Sequence, residues 1–237
     1  MISDERMDAA LRELGGTEPV PDLGAEIESE LRSMQPCKPR SPGRELLLLG
    51  LVSLMYLGTL LGALRFRADL NALPRLWLVT YLGAWAISFL GLSYLVLVPA
   101  KSRVMPSWRV AALLGVSSAV GFILAGLFIA RDVPGVSSVY PATAQDLAAH
   151  GHYCLRWGIT TALIPIALGV LFLRGAVPVG DRWTAAALGA GGGSLGGLML
   201  HLHCPIADYL HLGLIHGGVV VLSALLTALI APRFLST

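Results

Sequence analysis

The sequence predicts an all-α fold, in which a bundle of six transmembrane helices follows a short, acidic, helical head at the N-terminus. The composition is the first observation: 55% of the 237 residues are hydrophobic and 14% are charged, whereas a soluble domain has about 25% charged residues. The second is the charge distribution, because 10 of the 15 acidic residues lie within residues 1–45. We therefore expect a head and linker over residues 1–44 and a membrane domain over residues 45–237.

Six apolar stretches of the second part are long enough to cross a bilayer, since a spanning helix needs about 20 mostly apolar residues. The fourth contains Arg156 near its start, and the fifth is the least hydrophobic because it is rich in Gly and Ala. The six predicted spans are Leu46–Leu64, Leu76–Val98, Val110–Ala130, Tyr153–Leu173, Trp183–Leu200 and Tyr209–Ala231.

The distribution of Lys and Arg around these spans predicts their orientation. If the head is cytoplasmic, the inner flanks hold nine basic residues and the outer flanks hold four or five. Short cytoplasmic loops carry an excess of Lys and Arg. Both termini are therefore expected on the cytoplasmic side, although three arginines in the first outer loop (Arg65, Arg67 and Arg75) weigh against this orientation.

The fifth span carries Gly189, Gly193 and Gly197 at four-residue spacing. Small residues at that spacing allow two helices to approach closely in a membrane. The spacing is compatible with tight packing inside one bundle or with contact between two copies in a homodimer, and we favour packing inside the bundle.

Two short apolar stripes in the head predict a surface for a protein partner. Each stripe repeats at helical spacing, but two helices of this size bury too little apolar surface to fold alone. A partner protein with an apolar groove that binds helices would cover the stripes. The alternative is that the head folds back onto the chain's own bundle. The predicted partner-binding residues are Met7, Leu11, Leu14, Leu23, Ile27 and Leu31.

All six histidines lie between positions 150 and 216, together with two of the three cysteines. Imidazole and thiolate are the usual protein ligands of zinc and copper. The candidate metal ligands, expected at the outer edge of the membrane, are His150, His152, Cys154, His201, His203, Cys204 and His211. Two alternatives stay open: Cys154 and Cys204 could form a redox-active pair, or the histidines could be structural, with Arg156 and Asp208 as partners.

An enzyme is not expected, because the sequence contains no hydrolase, metalloprotease or phosphate-binding motif. A di-haem electron carrier would need histidine pairs at two membrane depths. The histidines of this sequence are expected at one depth, so a carrier of this kind is not expected. The alternative function from another class is a metal- or haem-handling membrane protein, such as a transporter or redox carrier.

The segment from Met7 to Leu14, the element His203-Cys204-Pro205 and the six spans together resemble the multi-pass membrane anti-sigma factors of the NrsF and CarR types. The resemblance implies a bacterial inner-membrane protein whose head sequesters an extracytoplasmic-function (ECF) sigma factor and does not itself bind nucleic acid. It further implies release of the sigma factor in response to a stress signal (an oxidant, singlet oxygen generated by light, or a metal), with Cys154 and Cys204 taking part in sensing.

Overall fold

The computed structural model describes residues 24, 27–29, 40–71, 73–98, 107–129, 144–174, 181–206 and 208–235. The chain divides into two units, residues 1–40 and residues 41–237. Within the first unit the described residues 24 and 27–29 are helical, and the side chain of Ile27 is 55% exposed. The other predicted partner-binding residues lie outside the described residues: Met7, Leu11, Leu14, Leu23 and Leu31.

All regular structure in the described residues is helical, which confirms the all-α prediction. Among the described residues, six helices are long and apolar enough to cross a membrane, so the prediction of six spans is also confirmed. The elements are α1 (Pro42–Leu64), α2 (Arg75–Leu97), α3 (Ser107–Leu124) continued by the π-helical turn π1 (Ala125–Ile129), α4 (Ala144–Leu173), α5 (Asp181–His203), the π-helical turn π2 (His211–His216) continued by α6 (Gly217–Ile230), and α7 (Pro232–Leu235).

Helix α5 lies at the centre of the bundle. In its span 83% of the residues are buried, against 22–44% in the other five spans, and it packs against α2, α3, α4 and α6. A helix enclosed by protein does not need the large apolar side chains that face lipid, and small residues let its neighbours approach. This central position explains why the fifth stretch has the lowest hydropathy of the six.

The glycines of α5 face other helices of the same chain. A Cβ atom on Gly189 or Gly193 would meet the backbone of α6, and one on Gly197 would meet the ring of Trp85 in α2. These contacts favour the interpretation of the four-residue spacing as packing inside one bundle.

The two π-helical turns pack directly against each other. A Cβ atom on Gly126 in π1 would contact the backbone of Gly213 in π2, and one on Gly213 would lie 3.0 Å from the carbonyl oxygen of Ile123. Turns of this kind are uncommon inside α-helices and are often found at functional sites. The contact places π2 firmly against the third span.

Candidate functional site

A buried group of two thiols and one imidazole lies at the end of the bundle where α1 ends. Successive spans run in alternate directions, so the start of α4, the end of α5 and the start of the sixth span meet at that end. Cys154 comes from α4, Cys204 directly follows α5, and His211 begins π2. All three side chains are buried.

The donor atoms of this group converge. The Sγ atoms of Cys154 and Cys204 lie 3.6 Å apart, and Nε2 of His211 lies 3.5 Å from Sγ of Cys204. The three donor atoms all lie within 4.8 Å of one another, so the group could hold a metal ion. Both cysteines are free thiols in this structure.

Asp208 fixes the start of π2 and thereby positions His211. Its Oδ2 atom accepts hydrogen bonds from the backbone N–H groups of Leu210, at 3.0 Å, and His211, at 3.3 Å. Aspartate is a preferred residue at a helix N-terminus, where backbone donors lack partners inside the helix. The carboxylate is therefore engaged by the backbone in this structure.

His216 joins the same region, although the sequence pattern did not single it out as a ligand. A π-helical turn closes on the fifth residue, so His211 and His216 come to lie on one face, with ring centroids 5.2 Å apart. The imidazole of His216 is 1% exposed and lies beside Cys204. Neither of its ring nitrogens meets hydrogen-bond geometry with any residue in the described part of the chain.

The two histidines at the end of α5 make contacts outside the group formed by Cys154, Cys204 and His211. His201 is fully buried against α2, where its ring lies 4.6 Å from that of Trp77 and 5.2 Å from that of Tyr81, measured between centroids. His203 donates a hydrogen bond from Nδ1 to the backbone carbonyl of Arg65, at 2.8 Å. Neither side chain belongs to the converging donor group.

His150 and His152 occupy exposed positions on α4, whereas Cys154 is buried on the same helix. Of the seven candidate ligands, the structure therefore brings together Cys154, Cys204 and His211. The other four contact different parts of the chain or face outward.

The loop between α1 and α2 covers the end of α5 through a buried arginine. The Arg67 guanidinium donates two hydrogen bonds of 2.7 Å to the Asp69 carboxylate and one of 3.0 Å to the carbonyl oxygen of Pro205. The Arg67 backbone N–H also donates to the carbonyl of Leu202, at 2.9 Å. Arg67 therefore joins this loop to the segment that carries Cys204.

The hydrogen bonds from Arg67 lower the pKa of Asp69 below its usual value. A carboxylate with a lowered pKa stabilises the folded state above its unfolded-state pKa, and this contribution is lost as pH falls through the folded-state value. The loop contact is therefore at full strength at neutral pH and weakens in acid.

We predict that Asp69→Asn loosens this loop and exposes the thiols beneath it. The carboxylate is 42% exposed, so the lost ion pair is worth about 1 kcal/mol, which corresponds to about fivefold more frequent opening. The measurement is the rate at which a maleimide modifies Cys154 and Cys204 in the purified protein at neutral pH. Arg75→Gln, an exposed change at the first residue of α2, is the control, and equal rates in wild type and Asp69→Asn would contradict a covering role for the loop.

Sequence comparison identifies the chain through its family. The search of curated proteins and the search of solved structures found no match. The profile of the NrsF family, described as negative regulator of sigma F, matches residues 32–236. This match covers most of the chain and confirms the resemblance to NrsF-type regulators, and the protein therefore belongs to the NrsF family of negative regulators of sigma factors.

Proposed function

We propose that this protein is an anti-sigma factor of the bacterial inner membrane, with both termini cytoplasmic. Residues 1–44 sequester an ECF sigma factor, and the membrane domain releases it in response to a stress signal at the group formed by Cys154, Cys204 and His211. The main support for the proposal is that the chain belongs to the NrsF family. The second support is the group of two thiols and one imidazole that lie close together in the membrane domain.

The charge of the head supports a sigma factor as its partner. Residues 1–44 hold 9 acidic and 6 basic residues, a net charge of −3. Sigma factors bind DNA through basic surfaces, and complementary charge speeds association and selects the partner. The exposed Ile27 gives the described part of the head an apolar contact residue. The family match begins at residue 32, so the binding role of the stripe residues before it is our inference.

Signal transfer requires two states of the membrane domain that differ in affinity for the signal. A tenfold change in affinity for the sigma factor requires about 1.4 kcal/mol of coupling. A buried thiol pair provides such coupling, because metal binding or two-electron oxidation to a disulfide would draw α4 together with the segment after α5. In the oxidative case hydrogen peroxide takes two electrons and two protons from the thiols and is reduced to two water molecules.

We expect that Leu11→Asp, Leu14→Asp, Leu23→Asp and Ile27→Asp each release the sigma factor without preventing membrane insertion. A charge in the apolar stripe must be desolvated on binding, which costs several kcal/mol. The measurement is transcription from a promoter of the sigma factor in cells that carry each variant, with membrane content checked by immunoblot. Thr17→Asp adds the same charge between the two stripes and should remain repressed. Repression in all four variants would remove the head as the binding element.

A further inference from the structure

We propose that Cys154, Cys204, His211 and His216 form a closed four-ligand site for a thiophilic divalent cation, with zinc as the reference ion. The inference deepens the proposed function, because it names the ligand of the signalling site and rests on that proposal for its regulatory meaning. The binding itself can be measured without a sigma factor, so the two claims can fail separately.

The distances between donor atoms already suit tetrahedral coordination. Zinc–sulfur and zinc–nitrogen bonds of about 2.3 and 2.0–2.1 Å place the ligand atoms of a tetrahedral site about 3.8 Å (sulfur to sulfur) and about 3.6 Å (sulfur to nitrogen) apart. The corresponding separations here are 3.6 Å between the two Sγ atoms and 3.5 Å between Sγ of Cys204 and Nε2 of His211. These two separations therefore lie within a few tenths of an ångström of the required spacing, and all three donor atoms lie within 4.8 Å of one another.

His216 is the residue that completes the set. A buried imidazole normally has a hydrogen-bond partner, yet both ring nitrogens of His216 lack one among the described residues. The ring lies beside Cys204 and the ring of His211. A metal ion bound between them would satisfy one of these nitrogens and explain why a polar side chain is buried in an apolar bundle.

The charges of the site favour a soft dication. Two thiolates and two neutral imidazoles compensate a charge of +2, so the occupied site carries no net charge inside the bundle, where an unpaired charge is costly. The neighbouring Arg67 has its own partner in Asp69. Magnesium and calcium require oxygen ligands, and the nearby Asp208 carboxylate is already hydrogen-bonded to the backbone of π2.

The four ligands come from α4, the segment after α5, and π2. A metal ion at the site would hold these three elements together. Through the contact between Gly213 and Gly126, a change in π2 would also reach π1 and the third span. Binding of a metal ion would therefore affect the packing of four of the six spans, the third to the sixth.

Metal binding to the purified full-length protein tests the inference. The reduced protein is first treated with a chelator, and zinc is then titrated against a chromogenic competitor. In a parallel titration with cobalt(II), the thiolate-to-cobalt and d–d absorption bands report the ligands and the coordination geometry. We expect one ion per chain, a tetrahedral cobalt spectrum with thiolate ligation, and affinity at least about tenfold weaker in His216→Gln. His152→Gln, at an exposed position of α4, is the matched control and should bind as wild type does.

Two results would overturn the inference. A wild-type protein that elutes as a folded single species, with both thiols reduced by mass spectrometry, but binds neither zinc nor cobalt would exclude the site. If His216→Gln matches wild type in affinity and in cobalt spectrum, His216 is not a ligand. If all proteins bind metal as expected but the sigma factor is never retained, the metal site stands and the proposed function fails.

Discussion

Replacement of both buried thiols, Cys154→Ser with Cys204→Ser, is expected to make the regulator insensitive to its signal. A hydroxyl neither binds soft metals well nor forms a disulfide, so the two chemistries open to the thiol pair are lost together. The side chains remain similar in size, and the head is untouched. The double variant should therefore still retain the sigma factor when no signal is present.

This expectation is checked by transcription from a promoter of the sigma factor, with and without added cadmium or hydrogen peroxide. If wild type is induced about tenfold, the coupling is about 1.4 kcal/mol, and the double variant should show no change. Cys37→Ser removes the third cysteine, which lies in the linker, and should respond as wild type does. Full induction in the double variant by both agents would contradict the assignment of the thiol pair as the sensor.

The second large effect is expected from a glycine at the centre of the bundle. A Cβ atom on Gly196 in α5 would contact the backbone carbonyl of Gly158 in α4, which cannot move aside without separating the two helices. Gly196→Leu should therefore destabilise the membrane domain by about 1–3 kcal/mol or more. The measurement is the melting temperature and the folded yield in a mild detergent.

Gly58→Leu is the matched control for this change. Gly58 lies in α1, is exposed, and has no atom within 4 Å of a built Cβ. Because glycine in a helix is about 1 kcal/mol less favourable than alanine, leucine at this position should leave the melting temperature unchanged or raise it. Equal losses in the two variants would contradict the central position of α5.

The six spans could be predicted because a membrane-spanning helix requires a long apolar run, which can be recognised in the sequence. Their bounds were harder to predict where a helix continues beyond that run. Helix α4 begins at Ala144, nine residues before the predicted start at Tyr153, because its first turns carry polar residues such as Asp146 and His150 that hydropathy alone does not count. The central position of α5 showed in the sequence as low hydropathy and abundant glycine.

The candidate site was predictable in its position along the chain but not in its ligand set. The histidines and cysteines cluster in sequence, yet whether a side chain faces its neighbours depends on helix rotation, which places Cys154 inward and His152 outward. His216 was missed because residues five apart share a face in a π-helical turn, and an α-helix would separate them. Arg67 and its partner Asp69 were missed because the contact of Arg67 with Pro205 spans more than a hundred residues.

Co-purification of a sigma factor with the intact protein tests the central claim most directly. The full-length chain, tagged at its C-terminus, is solubilised from the membranes of its source in the absence of stress, and bound proteins are identified by mass spectrometry. The account predicts recovery of one ECF sigma factor in roughly equimolar amount, lost in Ile27→Asp and retained in Thr17→Asp. A folded, membrane-derived wild-type protein that carries no sigma factor above the level of an unrelated membrane protein would contradict it.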